Sequence, residues 1–353
     1  MTGNAFYISD TSTIKSGWTL DSSYWKFGAS KTSVQKSNVV NYSNYGTYDI
    51  ELVSVSNFGC RDTATSKLTV YPMPVAAFSR WALDSQCLKG NSFVFSDTSS
   101  VANSHTWKPT WSFGDGTKDT AGTSKPKHSY SSAGSYQVTL NATSDVGCED
   151  TTSHWVVVHP QTNPYFKILT PKEQCLVGNY FTFEDSSRIS TGTIATHYWT
   201  LGDTNTTYKS SNDTVRHTYA NHGSYKVTLH TTTNYGCKDT FVDSVVVHAL
   251  PIVSFSVDDS SQCLTGNKFS FSDKTTIAST SSLSSWNWSF GDATKSASTQ
   301  QNPSFSYDTA TTFTVKLVVK SNYGCSDSSS QQVYVRPMPD APLMAVNLMH
   351  FHF

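Results

Sequence analysis

Apolar and polar residues alternate with period two in short bursts along the chain, and the bursts recur. Phe93 and Phe95 alternate with Ser92, Val94 and Ser96, and Phe181/Phe183 and Phe269/Phe271 repeat the pattern. Period two places each Phe pair on one buried face of a strand. Trp111-Ser112-Phe113-Gly114-Asp115-Gly116, Trp199-Thr200-Leu201-Gly202-Asp203 and Trp288-Ser289-Phe290-Gly291-Asp292 each read as a short strand with two inward residues, ended by a Gly-Asp turn. Gly134 to Leu140 and Trp155 to Val158 predict two partner strands, with a tight turn at Asp145-Val146-Gly147-Cys148 between them. Each block opens on a Pro-punctuated linker, such as Tyr71-Pro72-Met73-Pro74, because Pro fixes φ and removes a donor. An apolar strand, Val75 to Phe78, follows, and then a turn, Gln86-Cys87-Leu88-Lys89-Gly90-Asn91, echoed at Gln174-Cys175-Leu176 and Gln262-Cys263-Leu264. Short strands punctuated by turns at about 8–12-residue spacing predict a β-sandwich.

The cysteines give the period. Cys60, Cys148, Cys237 and Cys325 fall 88, 89 and 88 residues apart, and Cys87, Cys175 and Cys263 fall 88 and 88 apart. One fixed long period is the signature of a tandem array. The 353 residues divide into 1–73, a repeat lacking its first strand; full repeats at 74–160, 161–250 and 251–337; and a tail, 338–353.

Composition narrows the class. Only 14% of residues are charged and the net charge is −1, which argues against a nucleic-acid partner or an anionic membrane surface. Ser, Thr, Tyr, Asn and Val dominate, as in all-β extracellular chains. Seven regularly placed cysteines fit an oxidising compartment. No close Cys/His pair suggests a metal site. Met1 to Phe6 has neither the basic nor the apolar region of a signal peptide, and no run of about 18 apolar residues predicts a membrane span. A secreted array that opens this way is a processed chain or an excerpt of a longer one.

The W-x-F-G-D-G turn, the pairs His128-Ser129-Tyr130 and His217-Thr218-Tyr219, and the G-x-Y-x-V-x-L strand together resemble the PKD domain. The resemblance covers nearly the whole chain. It implies an all-β fold of tandem immunoglobulin-like, PKD-type sandwiches in an extended array, from a family found in surface and secreted proteins. Trp25, Trp111, Trp199 and Trp288, Asp115, Asp203 and Asp292, and Tyr48, Tyr136 and Tyr225 carry the core motif. The first repeat departs from it: Trp25-Lys26-Phe27-Gly28-Ala29 lacks the Asp, and Val40-Asn41-Tyr42 replaces His-x-Tyr. The fourth has Phe305-Ser306-Tyr307 and no Gly before Phe313. A turn and a His absent from some repeats do not make a shared active site.

Met1 to Phe6 aligns with Leu264 to Phe269, so the first repeat opens after the position of the Gln-Cys pair and has no first strand. Pro337-Met338-Pro339 repeats Pro72-Met73-Pro74 and leads into an apolar segment with Leu343, Val346, Leu348, Phe351 and Phe353. Two readings stand: strand donation from one chain into the next, at an open sheet edge, or an excerpt cut from a longer array. A head-to-tail contact is heterologous and need not close, so the first reading builds a filament.

Pairing within repeats gives Cys87–Cys148, Cys175–Cys237 and Cys263–Cys325. In the topology that the resemblance implies, those turns lie at opposite ends of a sandwich, about 26 Å apart along an eight-residue strand. Bridged Cα atoms lie within about 7 Å. Pairing across neighbouring repeats gives Cys87–Cys237 and Cys175–Cys325, and leaves Cys263 for Cys60 of a following chain.

Other features carry less. Trp18, Trp81, Trp107, Trp155 and Trp286 lie outside the motif and read either as half-buried junction residues or as a sugar-stacking strip. His350 and His352 share one face of an extended segment, two ligands at best. Calcium near Asp97, Asp185 and Asp273 would need several more oxygens per site. Sequons begin at Asn41, Asn141, Asn205, Asn212 and Asn287, and Asp-Thr-Ala begins at Asp62, Asp119 and Asp308. No nucleophile elbow or P-loop occurs. The expectation is a non-enzymatic extracellular fibre or stalk with no obligatory cofactor. Its partners are further copies of itself or further repeats, with surface glycans as the alternative.

Overall fold

The computed structural model describes residues 4–28, 31–80, 84–204, 206–209 and 214–341. The segment carrying Leu343, Val346, Leu348, Phe351 and Phe353 lies outside the described residues, as do Trp81, His350 and His352. The described residues form strands joined by turns, with no helix among them.

Two bodies, Met1–Gln161 and Thr162–Phe353, each hold two sandwiches. In the first body, residues 74–160 fold into two layers. One is a three-stranded sheet in the order Lys127–His128, Phe93–Asp97, Phe78–Arg80. The other has five strands in the order Lys118–Asp119, Trp107–Ser112, Gly134–Ser144, Glu149–His159, Ser85–Cys87. In the second body the same pairing recurs around the hairpins Gly223–Thr233/Lys238–His248 and Thr312–Ser321/Ser326–Arg336.

The core sits between the layers, and alternation decides its members. Phe93 and Phe95 point inward, and Trp111 and Phe113, Val138 and Leu140, and Val156 and Val158 face them from the other sheet. Phe166, Phe181, Phe183 and Trp199 occupy the same places in the third sandwich, and Phe255, Phe269, Phe271 and Trp288 in the fourth. Of the Val75–Phe78 stretch, only Phe78 enters the core, as the first residue of the strand Phe78–Arg80; Val75 is exposed and holds an isolated bridge to Ser100.

The Gln-Cys-Leu stretch begins as a strand rather than a turn. Ser85–Cys87 runs parallel to the end of Glu149–His159, with Cys87 opposite His159. Glu173–Cys175 and Ser261–Cys263 repeat this, placing Cys175 opposite His248 and Cys263 opposite Arg336. The glutamine fixes the reversal: Gln86 Nε2 donates to the Ser92 carbonyl at 3.0 Å, and the Ser92 amide donates back to Gln86 Oε1 at 2.8 Å.

The first sandwich is thinner. It pairs Phe6–Ser9 with Ser37–Val40 in one layer and holds Lys31–Ser33, Leu20–Phe27, Gly46–Ser56 and Arg61–Val70 in the other. Among the described residues, no strand lies on the outer edge of Phe6–Ser9 or on the outer edge of Arg61–Val70. The core reflects the loss. Phe93 and Phe95 are 2% and 0% exposed, whereas their counterparts Phe6 and Ile8 are only half-buried. Trp25 is 7% exposed, against 1% for Trp111. Trp25 Nε1 and the Tyr42 hydroxyl are buried without a hydrogen-bond partner.

Candidate functional site

The motif residues meet at one end of each sandwich. Gly114 has φ +85°, and a Cβ there would stand 2.7 Å from the Gln137 carbonyl oxygen, so both conformation and space demand glycine. The turn presents Asp115, whose Oδ1 accepts from the Thr117 amide at 3.0 Å and whose Oδ2 lies 2.7 Å from His128 Nε2. His128 in turn lies flat on Phe113, with centroids 4.2 Å apart. Tyr130, two residues on, donates its hydroxyl to the Phe113 carbonyl at 2.8 Å and stacks on Tyr136, whose hydroxyl donates to the Ser132 carbonyl at 2.8 Å. The third sandwich repeats the cluster: His217 Nε2 lies 2.7 Å from Asp203 Oδ2, and Tyr219 stacks on Tyr225. In the fourth, Phe305 takes the histidine's place, and Asp292 accepts hydrogen bonds from Thr294 and Ser296 instead. In the first, Tyr48 stacks on Tyr42 and donates to the Asn44 carbonyl at 2.8 Å.

Burial works to raise the Asp115 carboxyl, but hydrogen bonds from Thr117 and His128 outweigh it and hold the group at about 2, from an ordinary 3.8. Desolvation pushes the phenols of Tyr130, Tyr219 and Tyr307 above their usual range. In the second, third and fourth sandwiches the tyrosine hydroxyl of the cluster has a backbone carbonyl partner, whereas that of Tyr42 in the first has none.

Sequence reasoning missed an asparagine at the same end. Asn91 donates to the carbonyls of Leu88 and Tyr130 at 2.7 and 2.8 Å and accepts from the Tyr130 amide at 2.7 Å. Asn179 and Asn267 do the same for Tyr219 and Tyr307, and Asn4 bridges Tyr42. The signal was present: an Asn stands two residues before the first inward Phe of every repeat.

A second repeated carboxylate, at Asp10, Asp97, Asp185 and Asp273, forms an Asx turn with the amide two residues on. Its other oxygen holds a side chain of the facing sheet: Ser23, Trp107, His197 and Trp286 respectively. Burial works to raise the Asp273 carboxyl; the bonds from Thr275, Trp286 and Gln301 outweigh it and keep it below its usual range. This explains Trp107 and Trp286, which are pinned by their indole N–H. Trp18 and Trp155 remain 52% and 58% exposed. Trp18 meets the edge of Phe58 at 5.0 Å, and the two line a cavity of about 720 Å³ in the first sandwich with Ile14, Leu20 and Arg61. Among the described residues, no group of three or more His, Cys, Asp or Glu side chains converges to hold a metal ion.

The cysteines divide into bonded and free. Cys175 and Cys325 form a disulfide with Cα atoms 5.5 Å apart, joining the third sandwich to the hairpin of the fourth. Pairing within repeats is thereby excluded: Cys325 is taken by Cys175 rather than Cys263, and Cys148 is a free thiol. The physical reason is the separation of those turns along the strands. Cys87 and Cys237 are also disulfide-bonded, while Cys60 and Cys263 are free and exposed. Beside the Cys175–Cys325 bond, His248 lies flat on Tyr323, with centroids 3.7 Å apart.

The family model of the PKD domain matches residues 74–158, 161–249 and 248–336. Among solved structures, the PKD1 domain of Vibrio anguillarum Epp is 24% identical, aligning 25% of this chain with 96% of that domain at a TM-score of 0.22. The PKD1 domain from the Vibrio cholerae metalloprotease PrtV gives 24% identity, 25% and 98% coverage and a TM-score of 0.22. A Ca2+-stabilized adhesin of an Antarctic bacterium aligns over 95% of this chain and 94% of its own, at 10% identity and a TM-score of 0.31.

Proposed function

Because the chain belongs to the PKD-domain family, we propose that it is a non-catalytic structural subunit of an extracellular or cell-surface fibre or stalk. A tandem PKD array fits an extracellular structural or adhesin-like role. The disulfides support an oxidising location. The observation that carries the reading is the Cys175–Cys325 bond, which ties one sandwich to the next. A tie between modules resists pulling, which a module serving only as a spacer does not need. The repeated Asp, His, Tyr and Asn side chains of the second, third and fourth sandwiches support the non-catalytic part, since they are spent on bonds inside their own sandwich.

Polymerisation is head to tail, by strand donation. The half-buried Phe6 and Ile8 offer an open sheet edge. Phe78 stands four residues after Pro74 and Phe255 four after Pro251; Leu343 stands four after Pro339. In the second sandwich the Phe78 ring packs 5.1 Å from Trp111 and 4.7 Å from His154. In the first sandwich Asp10 takes the place of Asp97, the register partner of Phe78, and the position opposite it is the one that strand donation fills. Size-exclusion chromatography with electron microscopy tests this. The full chain forms end-to-end polymers, and deletion of residues 342–353 leaves monomers; a monomeric full chain at high concentration overturns it.

A second reading rests on Trp18 and Phe58, whose flat rings beside the 720 Å³ cavity suit sugar stacking. It predicts glycan affinity lost in Trp18→Ala, read on a glycan array.

A further inference from the structure

The bond between Cys175 and Cys325 is flanked by a second contact, and the same two half-sets recur, unjoined, elsewhere in the chain. One half-set is a turn cysteine with the residue opposite it in the parallel pairing: Cys175 with His248. The other is a hairpin cysteine with the aromatic residue two positions before it: Cys325 with Tyr323. At the internal junction, cysteine meets cysteine and the His248 ring lies on the Tyr323 ring.

The fourth sandwich presents the first half-set without a partner. Cys263 is free and exposed, and Arg336 stands opposite it in the same parallel register. The backbone is held identically: the Leu264 amide donates to the Arg336 carbonyl at 2.9 Å, as Leu176 does to His248. Arg336 Nε donates to Ser261 Oγ at 2.7 Å, which fixes the plane of an exposed guanidinium. The first sandwich presents the second half-set. Cys60 is free and exposed, and Phe58, two residues before it, is 69% exposed with Trp18 at its edge.

We propose that Cys263 of one copy and Cys60 of the next form an intermolecular disulfide, with Arg336 lying on Phe58 beside it, so that the fibre is covalently closed at every chain junction. The inference rests on the head-to-tail reading above. It names a second copy as the occupant because both half-sets belong to this chain and copy the joined pair position for position. A guanidinium over an aromatic face replaces the imidazole-on-phenol stack, a favourable substitution for a planar cation.

The chemistry requires an oxidant, and the proposal takes a disulfide-bearing one. The Cys263 thiolate attacks the oxidant's disulfide, forming a mixed disulfide and releasing one thiol. The Cys60 thiolate then attacks Cys263 Sγ, forming the Cys60–Cys263 bond and releasing the second thiol. Two cysteine thiols lose two protons and two electrons, and the oxidant's disulfide gains them. Cys148 takes no part.

The test uses the full chain with glutathione disulfide as oxidant. Non-reducing electrophoresis shows a ladder at multiples of the monomer mass, collapsed by reductant, and peptide mapping finds Cys60 linked to Cys263. Cys60→Ser and Cys263→Ser each abolish the ladder, and Cys148→Ser leaves it intact. Phe58→Ala and Arg336→Ala slow its formation by about 2–5-fold, the value of one exposed cation–aromatic contact. A ladder that persists in Cys60→Ser overturns the proposal, as do Cys60 and Cys263 thiols that stay fully alkylatable in oxidised protein. Electron microscopy in reductant separates the two readings: polymers with free thiols retain strand donation and remove the disulfide, whereas monomers under both conditions remove both.

Discussion

Phe305 lies face to face with Phe290, with centroids 4.2 Å apart and planes 2° apart, in the place where His128 covers Phe113. A hydrocarbon ring does the histidine's packing without its proton chemistry. The Asp115–His128 pair is therefore a brace on the turn, and its pH dependence belongs to stability. The Asp115 carboxyl is depressed from 3.8 to about 2 in the folded state. Its contribution is therefore present above pH 3.8 and is lost as pH falls through about 2. Asp115→Asn lowers the melting temperature near neutral pH and flattens the acid side of the melting curve, measured by calorimetry between those values. An unchanged acid slope contradicts this.

The Asn91 amide closes three backbone groups at once. Asn91→Ala leaves the amide and carbonyl of Tyr130 buried and unpaired, at about 1–3 kcal/mol for each group. Denaturant melts of the full chain show one sandwich unfolding early, and hydrogen exchange places the loss in residues 74–160.

Gly114 and Gly116 share positive φ, +85° and +93°, but only Gly114 faces backbone within reach of a Cβ. Gly114→Ala displaces the strand holding Gln137 and costs roughly 3 kcal/mol or more, while Gly116→Ala carries only the conformational strain of about 1 kcal/mol. Paired melts of the two variants check the contrast; equal losses contradict it.

The Cys175–Cys325 bond spans 150 positions of sequence. Pulled from its ends, the oxidised chain keeps that segment out of the extension. In a Cys87→Ser background, which leaves this bond alone, reduction releases roughly 500 Å of additional contour length, at about 3.5 Å per residue. Force spectroscopy with and without reductant reads this directly, and adding Cys175→Ser to that background reproduces the reduced chain.

The fold was legible because the buried aromatics recur in register: Trp111, Trp199 and Trp288 each announce the same strand, and alternation at Phe93/Phe95 names the inner face. What escaped lacked periodicity. Ser85–Cys87 is three residues long, too short to alternate, and its parallel pairing depends on the Gln86 side chain reaching back to Ser92. Asn91 escaped because a polar residue beside a glycine reads as surface, although it is buried by Tyr130 above it. The bracing role of Asp97 also escaped: its oxygens accept from the Ser99 amide and the Trp107 indole N–H, partners far apart in the period-two pattern. The Cys175–Cys325 bond was legible in the 88-residue period, which separates the turn cysteines from the hairpin cysteines and pairs them across neighbouring repeats.

The account turns on the open edge of Phe6–Ser9. Hydrogen exchange at residues 6–9, in a chain lacking residues 342–353, tests it most directly when a peptide of residues 337–353 is added. Slowed exchange across that segment, reversed in a peptide carrying Leu343→Asp, is the predicted result. Exchange that the peptide leaves unchanged at saturating concentration contradicts strand donation.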